Sequence, residues 1–176
     1  MGMIDISKKI RTIPGFPKPG ILFRDITTLL GDPEAFRQVV DEITDLYKDK
    51  QIESVVAIEA RGFIIGAPVA YRLGASFVPV RKKNKLPSET VSASYDLEYG
   101  SNTIEIHSDA IRPGQKVLII DDLLATGGSA KAAAELVEKL KGKIAGIAFV
   151  IELTSLKGRE KLSRYDVYSM LKYDDA

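Results

Sequence analysis

Thirteen residues, Val117 to Ser129, constrain this chain more than any others. They read Val-Leu-Ile-Ile-Asp-Asp-Leu-Leu-Ala-Thr-Gly-Gly-Ser. Val117 to Ile120 form an apolar run suited to a strand covered on both faces, as in a parallel sheet. The carboxylates of Asp121 and Asp122 follow where that strand is expected to end, and a loop of small residues with two glycines comes next. Ala133, Leu136, Val137 and Leu140 then recur at helical spacing, so a helix is expected from about Ser129. Open α/β sheets bind ligands at such carboxyl ends. The loop offers backbone N–H groups and a helix N-terminus, which suit a phosphate. Asp121 and Asp122 repel a phosphate and suit hydroxyls or a metal. A ribose 5-phosphate meets both demands. The bland alternative, that the acids cap a strand and the glycines make a turn, leaves two adjacent carboxylates without a purpose. No G-x-G-x-x-G and no G-x-x-x-x-G-K-[ST] occurs, which removes the dinucleotide and P-loop readings.

The length of 176 residues suits one domain with a real core. A net charge of +1 gives no case for nucleic acid or an anionic membrane. Without cysteine there are neither disulfides nor thiolate metal sites. No signal-peptide pattern, myristoylation signal or membrane-length apolar run is visible, so a cytoplasmic enzyme is the expectation.

Taken in order, Ile4, Ile6, Ile10 and Ile13 are spaced like a short helix. Pro14, Gly15, Pro17, Pro19 and Gly20 then break regular structure, and Ile21-Leu22-Phe23 suits a short strand or a lid. Asp32-Pro33-Glu34 starts a helix, with a cap, a proline at the first position and an acid in the first turn. Ser54 to Ile58 reads as a buried strand, and a helix follows to Leu73, closed by Gly74 and bent at Pro68. Pro79 makes Ser76 to Val80 an edge or the end of a strand. Arg81, Lys82, Lys83 and Lys85 form a basic cluster, which by itself suits a solvated face. Alternating runs over Ser88 to Asp96 and Asn102 to His107 suggest a hairpin or flap, with His107 exposed. Gly146 to Leu153 and Val167 to Leu171 are further strands. The order fits an α/β sheet with helices on both faces.

The Val117–Ser129 stretch resembles the phosphoribosyl-pyrophosphate (PRPP) motif of the type I phosphoribosyltransferases. Four further blocks resemble the branch of that family that acts on adenine, and together they span nearly the whole chain. They are Phe16 to Thr27; Glu59-Ala60-Arg61-Gly62-Phe63; Lys85-Leu86-Pro87 with Tyr95 to Gly100; and Glu152 to Arg159. Some members carry Asp-Ser for Glu59-Ala60 and Thr for Ser129, which keeps the chemistry. The resemblance implies a type I fold with a mostly parallel central sheet, an N-terminal hood over about residues 1–31, a core over about 32–176 and a mobile flap over about 82–107.

It also implies a reaction, transfer of the 5-phosphoribosyl group from PRPP to N9 of adenine, giving AMP and pyrophosphate. In that reading Asp121 and Asp122 hold the ribose hydroxyls, and Ala125, Thr126, Gly127, Gly128 and Ser129 cradle the 5-phosphate. Glu59, Ala60, Arg61 and Gly62 meet pyrophosphate, with Arg81 and Lys85 as further contacts. Leu22 and Arg24 read the base through backbone groups, while Phe23 and Leu123 cover its faces. Glu98 exchanges a proton at N7, and Tyr99 closes over the site. Mg2+ is expected to ride mainly on substrate phosphate without a dedicated cage, and the family works as homodimers. The alternatives are a sister enzyme for hypoxanthine-guanine, xanthine or orotate, and a non-catalytic PRPP sensor. A sensor would need a DNA-binding segment longer than this N-terminus supplies, or a basic face.

Overall fold

The structure is a computed structural model that describes residues 4–96 and 100–175. Its first regular elements are a 3-10 turn, Ile6–Lys9, and two short strands, β1 (Arg11–Pro14) and β2 (Leu22–Asp25), paired antiparallel as a separate ribbon. The short helix expected over residues 4–13 is therefore confined to one turn. The chain from Arg11 finds a better partner for its backbone in β2, to which the proline- and glycine-rich segment returns it.

Helices α1 (Thr27–Leu30) and α2 (Pro33–Tyr47) follow. Asp32 caps α2 as anticipated, its Oδ1 accepting from the Glu34 and Ala35 amides at 3.1 Å. Next come β3 (Ser54–Ile58), α3 (Arg61–Leu73), β4 (Ser76–Lys82), the hairpin β5 (Thr90–Asp96) and β6 (Ser101–His107), β7 (Lys116–Leu124), α4 (Gly128–Lys139), β8 (Lys143–Leu153) and β9 (Val167–Tyr173). The main sheet has the order β5-β6-β4-β3-β7-β8-β9. Strands β4, β3, β7, β8 and β9 are parallel, and the hairpin joins antiparallel at Arg81 and Lys82, with the Lys83 amide also donating to the Thr103 carbonyl at 3.1 Å. At Pro79 strand β4 pairs only with β3, so the missing N–H costs no ladder bond on the other side.

The core lies on both faces because the central strands alternate. Val117 and Ile119 of β7 pack with Ala133, Leu136 and Val137 of α4. Leu118 and Ile120 pack with Val39 and Ile43 of α2 and Ile65 and Val69 of α3. Helix α3 runs unbroken through Pro68. The carbonyl of Ile64, which loses its i+4 donor there, belongs to a residue 43% exposed, so water can satisfy it. His107 is half-buried, with Nε2 out of contact with any partner, where an exposed side chain was expected. It lies opposite Thr90 at the base of the hairpin.

Strand β7 also departs from expectation. It runs four residues past Ile120, through both aspartates, to Leu124. Aspartate has poor strand propensity, but β8 continues alongside and pairs Asp121 with Phe149 and Leu124 with Glu152. On the other side the partner stops, since β3 pairs with β7 only as far as Ala57 and Ile120. The two carboxylates thus sit on a strand with one open edge.

Candidate active site

That open edge forms a crevice. Strand β3 ends at Ile58 and the chain turns through a cis Glu59-Ala60 peptide into α3. Between this turn and the extended end of β7 lies a cavity of about 240 Å³. Glu59, Ala60 and Arg61 line one wall, and Asp121, Asp122, Leu123, Ala125 and Ser129 another. Gly62 backs directly onto β7, where a Cβ would come within 3.0 Å of Asp121 Oδ1 and of the Ile120 carbonyl.

Asp121 and Asp122 are 8% and 4% exposed. Burial, then the neighbouring Asp122 charge, pushes the Asp121 carboxyl well above the usual carboxylate range. Its Oδ1 accepts the Asp122 amide at 2.9 Å. Arg61 Nε donates to Asp122 Oδ2. Partial burial works against the Arg61 charge, but the Asp122 charge and hydrogen bond outweigh it, and Asp121 and Asp25 add to the field. No Lys or Arg stands within Val117–Ser129, and the fold brings the acidic pair a cation from 61 residues away.

The small-residue loop follows. Gly127 is left-handed, with φ +77°, and α4 begins at Gly128. The Gly127 carbonyl accepts from the Lys131 amide at 3.0 Å, so the preceding amides of the first turn have no intrahelical acceptor and are available to an anion. Ala125 and Ser129 line the cavity, Thr126 is exposed, and Gly127 and Gly128 are buried. A Cβ on Gly128 would meet the Tyr95 ring at 3.0 Å.

Arg81 and Lys85 stand one ion pair away. Arg81 Nε and the Lys82 amide each donate to Glu59 Oε2 at 3.0 Å, and Lys85 Nζ donates to Oε1 at 2.7 Å. Burial of the Glu59 carboxyl works to raise its pKa. The bonds from Lys85, the Lys82 amide and Arg81 win, holding it below the usual range.

Leu22, Phe23 and Arg24 lie on the ribbon and do not line the cavity, whereas Leu123 does. The Gly15 amide donates to the Ile21 carbonyl at 2.8 Å, which makes Gly15/Ile21 a hydrogen-bonded pair. By alternation Ile13/Phe23 is the next such pair, and the N–H and C=O of Leu22 and Arg24 point away from β1. The Arg24 guanidinium lies 4.1 Å from the Tyr173 ring centre, donates to Thr12 Oγ1 at 2.6 Å and pairs with Asp175. Glu98 and Tyr99 lie outside the described residues. Tyr95 and Ile58 also line the cavity and were missed as site residues. For Tyr95 the signal was its place as the first residue of the Tyr95–Gly100 flap block, at the end of an alternating run. Among the described residues no group of three or more His, Asp or Glu side chains could hold a metal.

Known proteins resemble this chain over nearly its full length. A family model for the phosphoribosyl transferase domain matches residues 27–175. The adenine phosphoribosyltransferase of Clostridium novyi is 58% identical over 171 residues, covering 97% of this chain and 99% of that protein. The enzyme of that name from Halothermothrix orenii is 57% identical over 169 residues, covering 96% and 99%. The crystal structure of the Thermoanaerobacter pseudethanolicus adenine phosphoribosyltransferase superposes with a TM-score of 0.93 at 51% identity, over 96% of this chain and 98% of that one. The Saccharomyces cerevisiae enzyme, complexed with an imino-altritol bisphosphate and adenine, gives 0.91 at 42% identity, over 95% and 97%.

Proposed function

The chain belongs to the adenine phosphoribosyltransferases of the type I phosphoribosyltransferase family, and from that premise we propose that the crevice beside β7 is where its reaction takes place. Its activity is transfer of the phosphoribosyl group of PRPP to adenine, giving AMP and pyrophosphate in purine salvage. The observation that carries the assignment to this crevice is the pair of buried carboxylates on the open edge of β7, directly ahead of the glycine loop and facing Arg61.

The ribose hydroxyls bind Asp121 and Asp122. Adenine N9 bonds to the ribose C1 as the C1–O bond breaks, and pyrophosphate leaves with the bonding electrons. Positive charge then grows on the ribose ring, beside two carboxylates that the ligand's hydroxyls and cations hold ionised. The amides of Ala125 to Ser129 take the 5-phosphate, supported by the unpaired first turn of α4. Pyrophosphate lies against the Glu59-Ala60-Arg61-Gly62 turn. Arg61, Arg81 and Lys85 converge there, the last two now held by the Glu59 carboxylate, which a phosphate can displace.

The outward-facing Leu22 carbonyl and Arg24 amide read the adenine amino group and N1, with Phe23 and Leu123 on the ring faces. Asp25 at the end of β2 contributes to the field at Arg61, which supports the ribbon as a hood beside the crevice. Glu98 exchanges the N7 proton and Tyr99 closes the flap, both on the strength of the resemblance. The donors present suit Mg2+, being hard carboxylate oxygens without a closed cage, and Asp121 and Asp122 would meet it together with substrate phosphate. Bound there, Mg2+ would neutralise charge on the leaving pyrophosphate.

We assign the working unit as a homodimer in the cytoplasm. Tyr71, 86% exposed, and Ile64, 43% exposed, lie seven residues apart on one face of α3 and give a second copy an apolar surface. Turnover with PRPP and a panel of adenine, hypoxanthine, guanine, xanthine and orotate tests the assignment of the base. Strong preference for adenine supports it, and comparable use of another base removes it.

A further inference from the structure

The chain after β8 makes contacts that the reaction as described leaves unused. Glu152, 4% exposed, stands opposite Leu124 in the β7/β8 register, one residue before the small-residue loop. Its carboxylate takes a two-pronged bond from Arg159, with Nε at 2.9 Å from Oε1 and Nη2 on Oε2. The same guanidinium donates to the Val167 carbonyl at 2.7 Å and to Ser169 Oγ at 3.1 Å, both on β9. Four bonds from three residues fix one side chain, and a lysine could not reproduce that fork. Beside Arg159, Gly158 opens a 3-10 turn, Gly158–Leu162, whose Leu162 is fully buried in the cluster formed by α4.

Gly158 presses on the back of the loop. A Cβ there would collide with the Ala125 carbonyl oxygen and come within 2.8 Å of the Gly127 nitrogen. A Cβ on Gly127 would in turn collide with the Gly158 carbonyl. Two backbones meet with no side chain between them.

We infer that Gly158, anchored by the Arg159–Glu152 pair, is a positioning residue that sets the backbone of the Ala125–Ser129 loop for the 5-phosphate of PRPP. The inference rests on the reading of that loop as the phosphate cradle. A loop with two adjacent glycines has wide conformational freedom. Amides that must converge on one anion lose affinity unless something holds them in advance. The turn at Gly158 is a rigid backstop against the loop that does not itself line the cavity, and it is tied to β8, β9 and α4.

Steady-state kinetics of Gly158→Ala test it. The added methyl must push the loop forward, so KM for PRPP should rise at least about tenfold, while kcat stays within about threefold and KM for adenine at saturating PRPP is unchanged. A merely structural role would lower Tm and leave KM of the folded enzyme alone. Arg159→Ala should raise KM for PRPP in the same way, and Arg159→Lys should recover only part of it. Should Gly158→Ala fail to fold, the two Arg159 variants decide. Unchanged KM for PRPP in folded Gly158→Ala, or in both Arg159 variants, overturns the inference. Ser129→Asp separates the two levels by placing a charge inside the cradle. If it leaves KM for PRPP untouched, the reading of the loop fails and the inference with it. If it raises KM while Gly158→Ala does not, the inference alone fails.

Discussion

The Lys85 ammonium lies 2.7 Å from Glu59 Oε1, joining the segment ahead of the hairpin to the turn that follows β3. Arg81 binds the other oxygen of the same carboxylate, whose side chain is only 8% exposed. One acid therefore organises two cations, one on β4 and one just after it, and its protonation should be felt by the fold.

Glu59→Gln keeps the shape and removes the charge. Loss of charge-assisted bonds at a buried site should cost about 1–3 kcal/mol, or roughly 2–12 °C in Tm for a chain of this size. The sign follows from the depressed carboxyl. Its contribution is present above the usual glutamate range, about pH 4.3, and is lost as pH falls through the lower folded value. Thermal melts of parent and variant should differ most near neutrality and converge in acid. A constant gap across that range would show that the charge is not the cause.

On the proposed reading, backbone groups of β2 choose the base. Adenine offers a donor at its amino group and an acceptor at N1, and hypoxanthine reverses both. Two mismatched buried pairs cost roughly 2–6 kcal/mol, so kcat/KM should favour adenine by several powers of ten. Leu22→Ala and Arg24→Ala should lower efficiency without reversing the preference. Arg24→Ala should also lower Tm, because its guanidinium ties β1 and β2 to Tyr173 and Asp175. Hypoxanthine used within about tenfold of adenine, or a preference lost on trimming Arg24, would point to another way of reading the base.

Much of this architecture was legible. Ser54 to Ile58 is the β3 strand, because five small and β-branched residues covered on both faces admit little else. Asp32-Pro33-Glu34 starts α2 and Gly74 ends α3, because caps act locally. What local patterns hide are contacts set by neighbours. Two aspartates read as the end of a strand, yet β8 carries β7 past them while β3 stops short. Arg61 reads as a pyrophosphate ligand, and nothing near it in sequence announces Asp122 as its partner. Gly127 reads as a turn glycine, and its second reason, the backbone of Gly158, lies 31 residues on.

Glu98→Gln tests the proton exchange assigned to the flap. Turnover should fall on the order of 10²-fold or more, the scale of general acid–base catalysis, with PRPP affinity of the free enzyme nearly unchanged. Turnover within a few-fold of the parent would limit Glu98 to closing the flap.

Asp121 poses the sharpest conflict between fold and reaction. Its folded carboxyl titrates above the usual range because it is buried beside Asp122. The folded state therefore favours the protonated form. Stability is full below the usual aspartate range and declines as pH rises through the folded value. On the proposed reading, such a group, which weakens the fold at neutral pH, is kept for its ribose ligand. Asp121→Asn preserves the acceptor for the Asp122 amide and removes the charge. The most direct test is kcat/KM for PRPP in this variant at neutral pH, taken on protein whose melting has been recorded. The expected result is a loss of about 10²-fold or more in a protein that melts no lower than its parent. Retained activity, or a fall in Tm in step with the fall in activity, would contradict a ribose site at the open edge of β7.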